Sequence, residues 1–324
     1  MLELNSVYFN YQKSFRIKDI SFKLDQGEFL GIIGESGCGK TTLLKLIFGE
    51  IEPINGHILW YGKKVLGPSE KLILGHEEFK YVTQEFELMP YISVLENVIK
   101  PLSRQYLEDN VKRAKELLEV LGIQKLENKK VKNLSGGQKQ RVALAQALAK
   151  QPKLILLDEP FSHVDNYQKN KLRRELFHFL KKENISCIVV THDVHDILPF
   201  SDRIAVLKDG KIQRIDSPEK IYETPKSDYI AGLLGDFNKL NADLMGIESN
   251  TVELIIYPQD LKVIQNKTED LRILNQYFLG DHYKIEVNWH GKKLIIQSNT
   301  KLDSSKPYTL NFDFESIKQR NGLN

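Results

Sequence analysis

Two stretches a hundred residues apart have the composition of phosphate-binding surfaces. Gly34-Glu35-Ser36-Gly37-Cys38-Gly39-Lys40-Thr41 fits the pattern G-x-x-x-x-G-K-[ST]. The apolar run Phe29–Ile33 before it reads as a buried strand, and Thr42 to Phe48 after it reads as a helix, which is the context this pattern requires. Glycines in such a loop let backbone N–H groups turn inward as an anion nest at the positive end of the helix. Lys40 is then placed for the β- and γ-phosphates of a nucleotide, and the Thr41 hydroxyl for Mg²⁺. The plainer alternative, a glycine-rich turn that merely joins strand to helix, is disfavoured by that context. In the second stretch, Leu134-Ser135-Gly136-Gly137-Gln138, Ser135 reads as an N-cap with a helix over Gln138–Lys150 behind it. A helix N-terminus with a small polar residue and two glycines is a second surface suited to phosphate.

Acids and a histidine follow at strand ends. Lys153 to Glu159 is an apolar run closed by two carboxylates. Asp158 is placed to hold Mg²⁺ through its water shell, and Glu159 to polarise an attacking water, as phosphoryl transfer requires. Adjacent acids at a strand end are otherwise an ordinary solvated turn, so the pair takes its meaning from Lys40. Ile188 to Asp193 is another buried strand, ending in His192; on its own that residue reads as a structural histidine or a helix cap.

Leu-Ser-Gly-Gly-Gln, followed by Lys139-Gln140-Arg141 and preceded by a phosphate loop, resembles the signature motif of ATP-binding-cassette (ABC) proteins. The resemblance implies that Ser135, Gly136, Gly137 and Gln138 address the γ-phosphate held by the other subunit's phosphate loop. It makes His192 the switch histidine that contacts the γ-phosphate. Gln84, in Tyr81-Val82-Thr83-Gln84, matches the Q-loop glutamine that senses Mg²⁺ and the attacking water. Ser162-His163-Val164-Asp165 matches the D-loop, which crosses to the partner subunit, and puts Asp165 among the nucleotide-site residues. Tyr11 stands at the distance before the phosphate loop where the family stacks an aromatic on adenine; such stacking is worth roughly 1–3 kcal/mol in nucleic-acid systems. Strand packing is the simpler role for an aromatic there, and it suits Tyr8 and Phe9.

Composition sets the frame. The chain has 324 residues, a 41% hydrophobic content and a formal charge of +3, which suits two domains and supplies no electrostatic footprint for nucleic acid. Its two cysteines, Cys38 and Cys187, lie in unrelated contexts and suggest no disulfide framework. The N-terminus lacks the basic and apolar regions of a secretory leader, and no apolar run approaches the roughly 18–20 residues of a membrane span. A peripheral chain with separate membrane partners is the expectation.

Strands and helices alternate to about residue 220, as in a parallel α/β sheet. Residues 86–150 instead have helical periodicity, as over Asn110 to Leu121, with Gly122 as a stop. The segment is similar to the helical subdomain that ABC ATPases insert between Q-loop and signature. That resemblance implies a groove along Tyr81 to Asn97 for a transporter's coupling helix, with Phe86, Leu88, Met89 and Tyr91 as apolar contacts; burial in the subdomain's own core is the alternative for each. After Leu234-Gly235 come six short strand-like runs, Val252–Tyr257, Leu261–Ile264, Leu271–Leu279, Tyr283–Trp289, Lys293–Gln297 and Tyr308–Phe312, which suggest a small barrel with Val252, Leu254, Ile273, Ile285, Val287 and Ile295 in its core. It resembles the OB-like (TOBE) domain of one importer branch, with Tyr257 in place of the branch's usual arginine. His163 and Val164 replace the usual Ala and Leu of the D-loop, and Gln146 a usual arginine.

The expected fold is therefore α/β: an ABC ATPase domain over 1–235 with an inserted helical subdomain, and a C-terminal TOBE-like β domain over 236–324. The resemblance implies ATP and Mg²⁺ as cofactors. Its implied partners are a second copy in a head-to-tail ATP sandwich, two transmembrane permease subunits on the cytoplasmic face, and a separate solute-binding protein. Ferric iron, polyamines or an oxyanion are the solutes implied. An exporter ATPase is the alternative within transport, and the barrel argues against it. A soluble ABC protein acting on nucleic acid is a further alternative, but the tail's eleven Lys/Arg against twelve Asp/Glu offer no phosphate-tracking surface. A non-hydrolysing regulator fits poorly with Glu159 and His192 both present.

Overall fold

The structure is a computed structural model that describes residues 1–11, 15–83, 85–246, 253–266 and 271–323. It divides into two compact units, Met1–Pro218 and Glu219–Asn324.

The first unit is built on two sheets with a helix between them. Strands β1 (Leu2–Tyr11), β2 (Phe15–Leu24), β4 (Asn55–Trp60) and β5 (Lys63–Lys64) form an antiparallel sheet in the order β2-β1-β4-β5. Strands β3 (Phe29–Ile33), β6 (Phe79–Val82), β7 (Leu154–Asp158), β8 (Ser186–Thr191), β9 (Arg203–Lys208) and β10 (Lys211–Asp216) form the second, in the order β10-β9-β3-β8-β7-β6. Five of these six run parallel, and only the edge strand β10 is antiparallel. Every residue of β3, β7 and β8 is buried. That is why these segments read as unbroken apolar runs rather than alternating ones: a parallel sheet is covered on both faces.

Helix α1 (Lys40–Phe48) fixes the loop before it. Its Leu43, Leu44, Leu46 and Ile47 share one core with Leu4, Val7 and Ile58 of the antiparallel sheet and with Leu30, Leu156 and Val190 of the parallel one. The helix is clamped from both sides, so its N-terminus is held against the ends of the parallel strands.

Helices α2 (Val94–Ile99), α3 (Leu107–Val120) and α4 (Gly136–Ala149) form the insertion. A capping box of Ser93 and Glu96 starts α2. Asn97 is fully buried, and its amide bonds the backbone of Met89 in both directions at 2.8 and 3.0 Å, so it pins the approach to α2. Helix α3 stops at Gly122, whose φ of +66° is the left-handed conformation that a helix C-terminus favours in glycine. Helix α5 (Asn166–Lys182) returns the chain to β8.

Helices α6 (Pro218–Glu223) and α7 (Asp228–Leu234) lead into the second unit, so residues 219–235 group with the tail rather than with the first unit. Strand β11 (Asn238–Asn241) pairs with β12 (Glu253–Ile256), while β13 (Leu261–Gln265) pairs with β17 (Tyr308–Phe312). Strands β14 (Leu271–Phe278), β15 (Tyr283–Trp289) and β16 (Lys292–Ser298) form a meander. Strand β16 lies beside β13 and β14 beside β17, so these five strands close on themselves. The first of the six expected strands therefore stands outside the barrel, paired with β11. Leu254, Ile285 and Val287 are core residues, and Ile273 packs partly buried against them. Val252 lies outside the described residues. In β16 the phase differs from expectation: Leu294 and Ile296 are buried and Ile295 is half-buried. Three consecutive apolar residues give no alternation from which to choose a face.

One buried ion pair holds this unit's last helix, α8 (Phe314–Asn321). Arg320 donates to both carboxylate oxygens of Asp260 at 2.9 and 3.1 Å, and its guanidinium lies 3.9 Å from the centre of the Tyr257 ring. Both charged residues are buried. Arg320→Met strands Asp260 without its partner, which costs about 3–5 kcal/mol. The chain has two tryptophans, Trp60 in the first unit and Trp289 in the second. Urea unfolding followed by Trp289 fluorescence in a Trp60→Phe background should show that loss, with partial recovery when Asp260→Asn is added; a loss below about 1 kcal/mol would mean the pair does not anchor the helix.

Candidate active site

Strand register gathers the site. In β3 Ile33 sits opposite Thr191 of β8, and Asp158 of β7 sits opposite Val190. Three neighbouring parallel strands thus end level with one another, and the residues just beyond them share the crevice at their carboxyl ends, where ligands bind in open α/β sheets.

The phosphate loop is shaped by backbone constraint. Gly37 and Gly39 have φ of +81° and +113°, which a side chain would strain, and a Cβ on Gly34 would lie 2.2 Å from the Leu207 carbonyl oxygen. The buried Lys40 ammonium donates to the carbonyls of Gly34 at 2.7 Å and Glu35 at 3.0 Å, spanning the loop. A shallow cavity of about 320 Å³ is lined by Tyr11, Gly37, Gly39, Lys40, Thr41 and Thr42. Tyr11 is thus brought to the loop from the end of β1, half-exposed and edge-on to Phe9 at 4.7 Å. Cys38 is buried, and burial pushes its thiol above the usual range. Ser36 is exposed at the loop's tip.

Asp158 is nearly buried, and burial raises its carboxyl above the usual range despite hydrogen bonds from the Thr41 and Tyr81 hydroxyls and the charges of Lys40 and Lys45. The Tyr81 bond is 3.1 Å long. A carboxylate under-compensated by its surroundings next to a threonine hydroxyl is a hard-oxygen set that suits Mg²⁺. No cluster of three or more His, Cys, Asp or Glu suited to a metal occurs among the described residues.

Glu159 leaves the strand with φ of +51°, a conformation uncommon for a residue with a side chain and concentrated at functional sites. Its Oε1 lies 2.8 Å from His192 Nδ1. The glutamate side chain is 10% exposed and the histidine 70%, so the histidine faces solvent while the acid is recessed. Beyond His192 the chain is locked by buried charge. Arg173 of α5 donates to Asp196 at 2.6 Å and to Asp193 at 2.7 Å, Lys169 donates to Asp193 at 3.1 Å, and the Thr191 hydroxyl donates to Asp196 at 2.7 Å. Cations on both sides hold the Asp193 carboxyl below its usual range, against the opposing effect of burial. Arg173 was hidden from sequence reasoning, because an arginine on an amphipathic helix reads as a surface charge.

Helix α4 begins at Gly136, two residues earlier than expected. Ser135 caps it, accepting from the Gln138 N–H at 3.3 Å while Gln138 Oε1 accepts from the Ser135 N–H at 3.1 Å. Gly136 and Gly137 pack on the D-loop: a Cβ on Gly137 would meet the His163 carbonyl oxygen at 2.6 Å. The His163 ring touches Phe86 edge-on at 5.7 Å. Asp165 stands at the N-terminus of α5, and its side chain makes no capping bond there. Gln140, which sequence reasoning passed over as part of the motif's tail, is almost wholly buried beneath this contact. Gln84 lies outside the described residues.

A second cavity, of about 280 Å³, is lined by residues that include Phe48, Tyr81, Phe86, Pro101 and Gln146. Of the four expected apolar contacts, Phe86 lines it; Leu88 is half-buried beside it in sequence, while Met89 and Tyr91 are exposed. Gln146 donates to the Asn97 carbonyl at 2.9 Å.

Comparison with known proteins shows the family. Residues 17–162 match the family described as ABC transporter. The chain is 32% identical over 321 residues to "Spermidine/putrescine import ATP-binding protein PotA" of Mycoplasma capricolum, spanning 90% of this chain and 89% of that one. Its identity to the protein of the same name in Clostridioides difficile is 33% over 328 residues, spanning 93% and 92%. Among solved structures, the dimeric bacterial ABC transporter cassette MJ0796 is similar at 32% identity and a TM-score of 0.60, over 67% of this chain and 99% of that one. The chain is therefore an ABC-type ATPase, a member of the ABC transporter family in the branch of import ATP-binding proteins that carry a small β domain behind the ATPase domain.

Proposed function

We propose that the chain is the ATP-hydrolysing subunit of a polyamine importer, working as a head-to-tail pair beneath two membrane subunits on the cytoplasmic face. The observation that carries the chemistry is the Glu159–His192 contact at 2.8 Å, at the level strand ends that also carry Asp158 and the phosphate loop. The solute rests on the names of the relatives, which are spermidine/putrescine import proteins. No described helix is long and apolar enough to cross a membrane.

In this reading Tyr11 stacks on adenine, and the N–H groups of Gly34 to Thr42 surround the phosphates with Lys40. Thr41 and Asp158 would hold Mg²⁺, with Gln84 the further ligand that the family resemblance implies; when bound, the ion would neutralise charge on the phosphate oxygens. Glu159 takes up the proton of the attacking water, and His192, held at its Nδ1 by that carboxylate, presents its other nitrogen to the γ-phosphate. Ser135 and the α4 N-terminus of one subunit complete the site of the other, with the D-loop through Asp165 at the crossing point. ATP closes the pair and hydrolysis reopens it, a two-state cycle that biases the membrane subunits. The cavity beside Phe86 is the docking groove for one of them.

Two outcomes check this reading. Glu159→Gln keeps shape and Mg²⁺ ligation but removes the base; turnover should fall by at least about 100-fold while size-exclusion chromatography in Mg-ATP shows a stable dimer. Turnover at the parent rate would remove Glu159 from this role. Cells that depend on this chain and its permease should take up labelled putrescine or spermidine and lose that uptake with Lys40→Ala. Uptake of ferric iron or sulfate instead would keep the ATPase and change the solute.

A further inference from the structure

The signature helix is bonded directly to the turn that carries the catalytic carboxylate of its own chain. Gln140 stands on α4, five residues after the Ser135 cap, and is 1% exposed. Its Nε2 donates to the Glu159 carbonyl oxygen at 3.1 Å, and its Oε1 accepts from the His163 N–H at 3.3 Å. The amide therefore bridges the first residue after β7 and the D-loop. The same Glu159 carbonyl also accepts from the Ser162 hydroxyl at 3.0 Å and the Ser162 N–H at 3.2 Å. This backbone oxygen is thus drawn to α4 and to the D-loop together, while Glu159 holds its φ of +51°. A left-handed glutamate persists only where its surroundings over-determine it. Thr191 and His192 hold the Glu159 carboxylate and Phe161 packs on Phe177 of α5, while the buried amide of Gln140 is what bonds the turn's backbone to α4.

We propose that Gln140 is a positioning residue for ATP hydrolysis: it sets the Glu159 carboxylate of its own subunit for the attacking water. The proposal rests on the reading of Glu159 as base and of the site as shared between subunits. Loss of the amide frees the turn to relax from its strained backbone and moves the carboxylate away from the phosphate. ATP binding does not depend on it, because Gln140 lies beneath the phosphate-facing end of α4 rather than at that end.

The test uses full-length chains with two affinity tags, purified as mixed dimers in which one Glu159→Gln leaves a single live base. In one arrangement Gln140→Met is on the chain with the live Glu159; in the other it is on the chain with Glu159→Gln, whose signature still serves the live site. Turnover should be at least tenfold lower in the first arrangement than in the second, with ATP dissociation constants within twofold. Equal turnover overturns the proposal, and slower turnover in the second arrangement assigns Gln140 to the signature surface instead. Because both dimers contain the same two altered positions, a folding defect would lower both alike; Gln140→Glu, of the same shape and able to accept from His163, then repeats the comparison and decides it by the same ratio. An active Glu159→Gln homodimer would signal failure of the base assignment rather than of the bridge.

Discussion

The parallel, in-register pairing of β3, β8 and β7 is the constraint on which the rest depends. Because Ile33, Thr191 and Asp158 leave the sheet within one residue of the same level, the phosphate loop, His192 and Glu159 gather at one edge of it without any of their loops having to be long. Complete burial of these strands enforces the register, since a one-residue slip would exchange the residues on the two covered faces. Helix α1 adds the second half of the constraint. Packed between two sheets, it cannot slide, so the N–H groups of the loop and the Lys40 ammonium stay aimed at one place.

Polar groups around this frame divide into two kinds. Arg173, Asp193, Asp196, Lys169 and Thr191 form a closed network that satisfies its own charges and fixes the turn after His192. Asp158 is the opposite case, because its neighbours leave the burial penalty uncompensated and its carboxyl is raised. A buried carboxylate whose desolvation is not offset is costly in a purely structural role; at the mouth of the phosphate loop it is where the proposed reading places the cation. The second unit carries a similar closed pair in Asp260 and Arg320, far from any catalytic group in the sequence.

Much of the fold was legible because its signals are local. The strand–loop–helix around Lys40, the Ser135 N-cap and the Gly122 stop are each written in a few adjacent residues. The barrel strands were readable from turns and apolar runs, but not the pairing of β12 with β11, which needs knowledge of a distant partner. Face choice failed at Ile295, where Leu294, Ile295 and Ile296 are all apolar. In the site, the motif residues could be named from their patterns and the family resemblance, whereas the roles of Gln140, Arg173 and Tyr81 could not. Their contributions come from hydrogen bonds to residues between 19 and 77 positions away, and nothing in their own neighbourhoods distinguishes them from helix or strand filler.

The central claim is that each ATP site is completed by the signature helix of the other subunit. Mixed dimers of Ser135→Arg and Lys40→Ala chains test it most directly, with nucleotide-dependent dimerisation as the readout. One site in the mixed dimer combines an unaltered phosphate loop with an unaltered signature, and neither homodimer has such a site. The account predicts ATP-dependent dimerisation in the mixture and little in either homodimer; equal dimerisation by all three would contradict it.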